Sequence, residues 1–151
     1  MRKQATLFLS HAHADAALAL TFAEWLEQAF DPPVRVTCTS RPTDRIDSRV
    51  VTSALVERMQ QSDVALAFLT SRSIASPWVY YEMGAAHASH ITFIPCLTGS
   101  FNYDDLPPQA YEYQGALLQD ASDILKLASD LVYCLVNRFK KWQPPTLFGF
   151  C

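Results

Sequence analysis

The chain has 151 residues, half of them hydrophobic and 18% charged, with a formal net charge of -3 from 12 basic and 15 acidic side chains. That length suits one domain burying about two thirds of the surface its unfolded form exposes, and the composition excludes an intrinsically disordered chain. The charges are interspersed, so there is no basic footprint for a polyanion, and nucleic acid is not expected as a direct partner.

The longest apolar runs, such as Val64 to Leu69, fall far short of the ~20 residues needed to cross a bilayer. Met1-Arg2-Lys3 leads into a strand-like run without a signal-peptide cleavage pattern, so a cytoplasmic protein with no membrane partner is expected. Cys38, Cys96, Cys134 and Cys151 stand far apart and form no C-x-x-C pair, which reads as separate thiols rather than a zinc site or disulfide framework.

In chain order, Ala5 to Leu9 predicts a strand, and Ala17, Leu18, Leu20, Phe22, Ala23, Leu26 and Phe30 then recur at helical spacing. Asp31-Pro32-Pro33 stops that helix, Val34 to Thr39 predicts a second strand, and Ser40 to Asp47 is a polar loop with Pro42, Arg41 and Arg45. A helix over about 48–61 leads to Val64 to Thr70, apolar nearly throughout, as expected of a strand covered on both faces in a parallel sheet.

Ser76 suits an N-cap and Pro77 the first helical position, because its missing N–H would be unpaired there anyway. The helix they start should reach about His90, with a fourth strand over Ile91 to Leu97. A long loop over 98–110 contains Gly99 and Pro107-Pro108, and a short strand around Gly115 to Leu118 precedes a last helix over about 120–139. Five β-α repeats imply an α/β fold: a flavodoxin-like parallel sheet of order 2-1-3-4-5 with helices on both faces, in one domain spanning 1–151. The apolar tail over 141–151, ending Phe148, Phe150, Cys151, reads as an interface or a linker.

Ligands of open α/β sheets bind outside the carboxyl ends of the strands where the winding reverses, here between the first and third strands. Two segments matter on that ground. They are Ser10-His11-Ala12-His13-Ala14-Asp15, and Thr70-Ser71-Arg72 leading to Ser76-Pro77-Trp78-Val79-Tyr80-Tyr81-Glu82. Glu82 falls in the second helical turn among mostly uncharged positions; the plainest reading is an acid that favours the helix dipole or faces water, with Trp78 on the same face.

The same segments resemble the signature boxes of the Toll/interleukin-1 receptor (TIR) domain family. Leu7-Phe8-Leu9-Ser10-His11 with Asp15 resembles the first box, Ser62-Asp63 through Leu69-Thr70-Ser71 the third strand, and Ser76-Pro77-Trp78 with Glu82 and Gly84 the S-P-W-C-x-x-E-L-G segment. The strand ending in Pro95 and Leu106-Pro107-Pro108 resemble bacterial members, so the likeness spans roughly residues 5–140. Val79 stands where the family often has cysteine, and the loop over 40–47 lacks the family's usual glycine.

The resemblance implies an NAD+ nucleosidase, a glycohydrolase or cyclase, with Glu82 as its catalytic carboxylate. NAD+ is then substrate rather than cofactor, no metal is needed, and Glu82 would be ionised like an ordinary glutamate. Ser10, His11 and Ser71 would border the pocket, Trp78 and Tyr81 would supply an aromatic wall, and Arg41 and Arg45 would meet the pyrophosphate or a neighbouring subunit. The resemblance further implies TIR–TIR self-association, a sensor domain or effector partner, and a role in bacterial antiviral defence. Packing, capping and solvation are the ordinary readings of these side chains. No Gly-rich phosphate loop marks a conventional Rossmann site.

Three rivals stand beside it. A non-enzymatic TIR adaptor would act through assembly alone, and a nucleoside deoxyribosyl transferase would share the glutamate chemistry. His11, His13 and Asp15 imitate an H-x-H-x-D-H metal box, with His87 and His90 one turn apart, but Ala16 replaces the last histidine.

Overall fold

The computed structural model describes residues 4–30, 33–45, 51–106 and 115–138. The expected helix start over 48–50, the prolines at 107 and 108, and the tail with Cys151 lie outside them. In chain order the elements are β1 (Thr6–His11), α1 (Ala16–Ala29), β2 (Arg35–Thr37), α2 (Val51–Gln60), β3 (Val64–Leu69), α3 (Pro77–Ala88), β4 (Phe93–Leu97), β5 (Ala116–Leu117) and α4 (Ala121–Arg138). Every pairing is parallel and the order is β2-β1-β3-β4-β5, as the β-α repeats predict.

Alternation along the strands divides the core in two. Leu7, Leu9, Val36, Val64, Leu66, Ile94 and Cys96 pack with residues of α1 and α4 on one face. Phe8, Ala65, Ala67, Leu69, Phe93 and Leu97 pack with residues of α2 and α3 on the other. All of β3 is buried, which explains why its sequence does not alternate between apolar and polar.

Element ends differ from expectation where side chains compete for backbone groups. β2 stops at Thr37 because the Asp44 carboxylate, from a 3-10 turn over Pro42–Asp44, accepts the Cys38 amide at 3.1 Å. Ser76 does occupy the N-cap of α3 with Pro77 next, but its side chain makes no capping hydrogen bond.

At the other end, α3 stops at Ala88 rather than His90. The His90 amide reaches the His87 carbonyl at 3.1 Å and the Ile91 amide reaches Ala86 at 3.0 Å, a Schellman closure with His90 at φ 55° where glycine is usual. Ile91 is thereby taken from the strand, and β4 begins at Phe93. The loop after β4 holds a 3-10 turn over Tyr103–Asp105, closed by a capping box between Asn102 and Asp105.

Candidate active site

Alternation decides where the first site segment points. Ser10 shares a face of β1 with Phe8, toward α3, whereas His11 shares the opposite face with Leu7 and Leu9. Ser10 therefore donates a hydrogen bond to the Glu82 carboxylate. His11 instead puts Nε2 2.6 Å from Ser40 Oγ, with Cys38 Sγ 3.8 Å from Nδ1, and burial lowers its pKa. The two neighbours, expected to border one pocket, are separated by the strand itself.

Glu82 is not a solvent-facing acid. Val79, Glu82, Met83 and Ala86 form the buried stripe of α3, at the i, i+3, i+4, i+7 spacing of a core-facing helix, and Glu82 is 1% exposed. A carboxylate thus stands where an apolar side chain would ordinarily pack. Desolvation by that burial raises its pKa to about 7, opposed by hydrogen bonds from Ser10 and from the Trp78 side chain. The expectation of an ordinary glutamate, fully ionised at neutral pH, is corrected accordingly.

Trp78, half-buried, touches Glu82 as the same-face spacing predicts, and stacks on Tyr81 with ring centroids 5.5 Å apart at 20°. Tyr81 is exposed and carries the aromatic surface outward. Ser71 is exposed on the turn after β3.

The two loop arginines lie differently from each other. Arg41 is a half-buried strut: its guanidinium grips both carboxylate oxygens of Glu27 on α1 at 3.0 and 3.1 Å and donates to the Val36 carbonyl at 3.0 Å. Its donors hold the loop to α1 and β2, an intramolecular engagement that the expected role at the pyrophosphate or a neighbouring subunit did not include. Arg45 is exposed, and its carbonyl accepts from Arg58 at 3.3 Å.

Asp15, noted in the sequence only within the first box and the metal-box imitation, and Arg72, given no role of its own, are paired beyond the carboxyl ends of β1 and β3. The buried Asp15 accepts from Arg72 Nη2 and from Thr70 Oγ1, both at 2.7 Å. A charged residue opening a helix among apolar positions is the signal that could have marked Asp15. With His11 turned inward, His13 exposed and Asp15 so engaged, the metal-box imitation dissolves, and no group of three His, Cys, Asp or Glu among the described residues could hold a metal.

A depression of about 530 Å³ opens elsewhere, at the β2 edge, lined by Thr6, Arg35, Thr37, Asp44, Arg58 and Gln61. It contains none of the expected site residues, and the chemistry of Glu82 gives the better reason to place a site. No helix among the described residues is long and apolar enough to cross a membrane.

Several solved structures share the fold, among them a receptor and a glycosidase. A metazoan TIR-STING receptor from C. gigas, in complex with 2',3'-cGAMP, aligns with a TM-score of 0.64 at 20% identity, covering 89% of this chain but 46% of the receptor. The chain thus spans about half the length of that protein. A CMP N-glycosidase from Clostridium botulinum, BcmB, aligns with a TM-score of 0.55 at 18% identity, covering 83% of this chain and 98% of the glycosidase. No curated protein matches the sequence. The sequence model of the TIR domain matches residues 7–128, well over half of the chain, and on that ground the chain belongs to the TIR domain family.

Proposed function

We propose that this TIR domain is an NAD+ nucleosidase that breaks the bond between nicotinamide and ribose, acting in bacterial antiviral defence signalling. The observation that carries the reading is Glu82, a carboxylate set into the core stripe of α3 with Ser10 and Trp78 as donors and a pKa raised to about 7. Burying an acid in a core position costs stability, and titratable groups perturbed in this way cluster at functional sites.

The C1′–N bond electrons leave with nicotinamide, which departs neutral because its ring nitrogen was cationic, so neither a general acid nor a metal is required. The ribose becomes an oxocarbenium-like cation, and the ionised Glu82 steadies it. Water, or an adenine nitrogen in cyclisation, then bonds to C1′. For attacking water, a base with a pKa near 7 is suited to take the released proton. Ser10 and Trp78 orient the carboxylate, while Tyr81 extends a wall for a flat ring.

Glu82 is covered in this structure, so NAD+ must open that cover to reach it. On this reading, TIR–TIR self-association favours the open form, and activity rises faster than linearly with protein concentration. A sensor domain or effector partner would supply the trigger. The CMP N-glycosidase on the same fold supports the reading, since its name gives cleavage of the same class of bond.

That neighbour also favours a second reading, cleavage of a nucleoside monophosphate such as CMP. Chromatography of products after incubation with NAD+ or a nucleotide panel tests both. Nicotinamide released by wild type but not by Glu82→Gln supports the first; free pyrimidine base supports the second. Silence on every substrate at high protein concentration leaves an adaptor acting through assembly.

A further inference from the structure

The Asp15 and Arg72 pair spans the switch point of the sheet. Of the strands beside β1, β2 lies to one side and β3 begins the run outward to β4 and β5, so the crevice of this fold opens at the carboxyl ends of β1 and β3. Asp15 follows β1, on the 3-10 turn His13–Asp15, and Arg72 follows β3, just before the 3-10 turn Ser73–Ala75 that leads into α3.

The two side chains differ sharply in exposure. Asp15 is 0% exposed in its side chain and Arg72 62%, so the carboxylate sits behind the guanidinium, and the cationic face is turned to solvent. Arg72 uses Nη2 on Asp15 at 2.7 Å. A guanidinium carries five N–H donors in a rigid fork, and Asp15 holds that fork in place in advance. Thr70 locks the base, donating to Asp15 and accepting from the Arg72 amide at 3.1 Å. Arg41, with both terminal nitrogens on Glu27 and its side chain 18% exposed, is built the opposite way.

We propose that Arg72, with the exposed Ser71 beside it, forms a phosphate subsite at the crevice, taking the pyrophosphate of a dinucleotide whose ribose reaches Glu82. The subsite deepens the nucleosidase reading and rests on it for the identity of the ligand. The same segment carries the subsite and, through α3, the carboxylate, so phosphate binding fixes the substrate relative to Glu82. Asp15 is a positioning residue here, since it would act on the ligand only through Arg72.

The test compares NAD+ with nicotinamide riboside, which has the same scissile bond and no phosphate. Removing a charge-assisted contact should raise KM for NAD+ roughly ten- to a hundredfold in Arg72→Ala, with KM for nicotinamide riboside unchanged. Because Arg72→Ala strands the buried Asp15 charge, the double variant Asp15→Asn, Arg72→Gln is measured beside it, with thermal melting to verify folding. Equal loss on both substrates in the folded double variant overturns the subsite and leaves Arg72 a neutralising partner of Asp15.

Equilibrium titration with ADP-ribose decides the matter independently of turnover. Binding by Glu82→Gln that weakens at least about tenfold on adding Arg72→Gln and Asp15→Asn supports the subsite. ADP-ribose binding that is absent, or unmoved by those changes, overturns it. Nicotinamide release that fails while ADP-ribose still binds through Arg72 overturns the nucleosidase reading and leaves the subsite standing.

Discussion

The Ser10 hydroxyl donates to the Glu82 carboxylate across 72 positions of sequence, joining the end of β1 to the core-facing side of α3. The contact exists because β1 and β3 are parallel neighbours and α3 packs on the face of the sheet that Ser10 shares with Phe8. It couples the protonation of a buried acid to a hydroxyl on the neighbouring strand end, and the first predictions concern that coupling.

If the ionised Glu82 is the active form, nicotinamide release rises with pH through about 7, the pKa that burial imposes on it. Below that value the rate falls about tenfold per pH unit. Glu82→Gln or Glu82→Ala should lower turnover by about a thousandfold or more. A pH-rate profile flat between 5 and 9 in wild type would contradict the assignment.

Burial of Glu82 also makes stability depend on pH, with a sign opposite to that of a salt-bridged acid. Its folded pKa, about 7, lies above the ordinary 4.5, so the folded state holds the proton more tightly. Glu82's own contribution to stability is therefore most favourable below 4.5 and falls as pH rises toward 7, by about 3 kcal/mol in all, which the difference between wild type and Glu82→Gln isolates from other acids. Glu82→Gln should melt near wild type at pH 4 and well above it at pH 8. Denaturant titrations at the two pH values measure the difference.

Ser10→Ala removes a donor that favours the ionised carboxylate, since the Ser10 hydrogen bond opposes the burial shift. The midpoint of the pH-rate profile should move upward, and activity at pH 9 should recover more than activity at pH 6. A midpoint that stays in place, or moves down, would show that the hydroxyl does not tune Glu82.

His90 stands at φ 55°, in the left-handed region that favours glycine, where it closes α3. His90→Gly should stabilise the fold by about 1 kcal/mol by relieving that conformation while keeping both closing hydrogen bonds. Thermal melting reads the gain, and nicotinamide release should be unaffected because His90 is exposed at the far end of α3 from its N-terminus.

Gly115, just before β5, lies where an added Cβ would meet the Pro95 carbonyl oxygen at 2.9 Å and Leu97 and Tyr103 carbons at 3.2 Å. The nearest atom is backbone and cannot rotate away. Gly115→Ala should destabilise by roughly 1–3 kcal/mol, as overpacking does. A melting temperature equal to wild type would show that the β5 edge shifts freely.

Periodicity and turn chemistry were sufficient for the architecture. The apolar run over Val64 to Leu69 marked a strand buried on both faces, Pro77 marked the start of α3, and the repeated β-α order led to the parallel sheet. Those signals are local: strand alternation, helical spacing and proline's missing donor act over a few residues, so a sequence displays them directly. The stripe of Val79, Glu82, Met83 and Ala86 has the same helical spacing, yet the charge of Glu82 led to the expectation of an acid at the helix dipole or facing water, and only packing places it inward.

What only the tertiary structure decided was the state and partnership of the polar groups. The raised pKa of Glu82 depends on how completely neighbouring elements exclude water, which no local pattern records. Arg41 and Arg72 both stand in loops, yet packing ties the first to Glu27 on α1 and leaves the second exposed, paired with the buried Asp15. Ser10 and His11 are adjacent in sequence and part company because a strand turns successive side chains to opposite faces, where different helices and loops await them. Desolvation and ion pairing are sums over groups brought together by the fold, so sequence supplied the candidate residues and three-dimensional packing selected their roles.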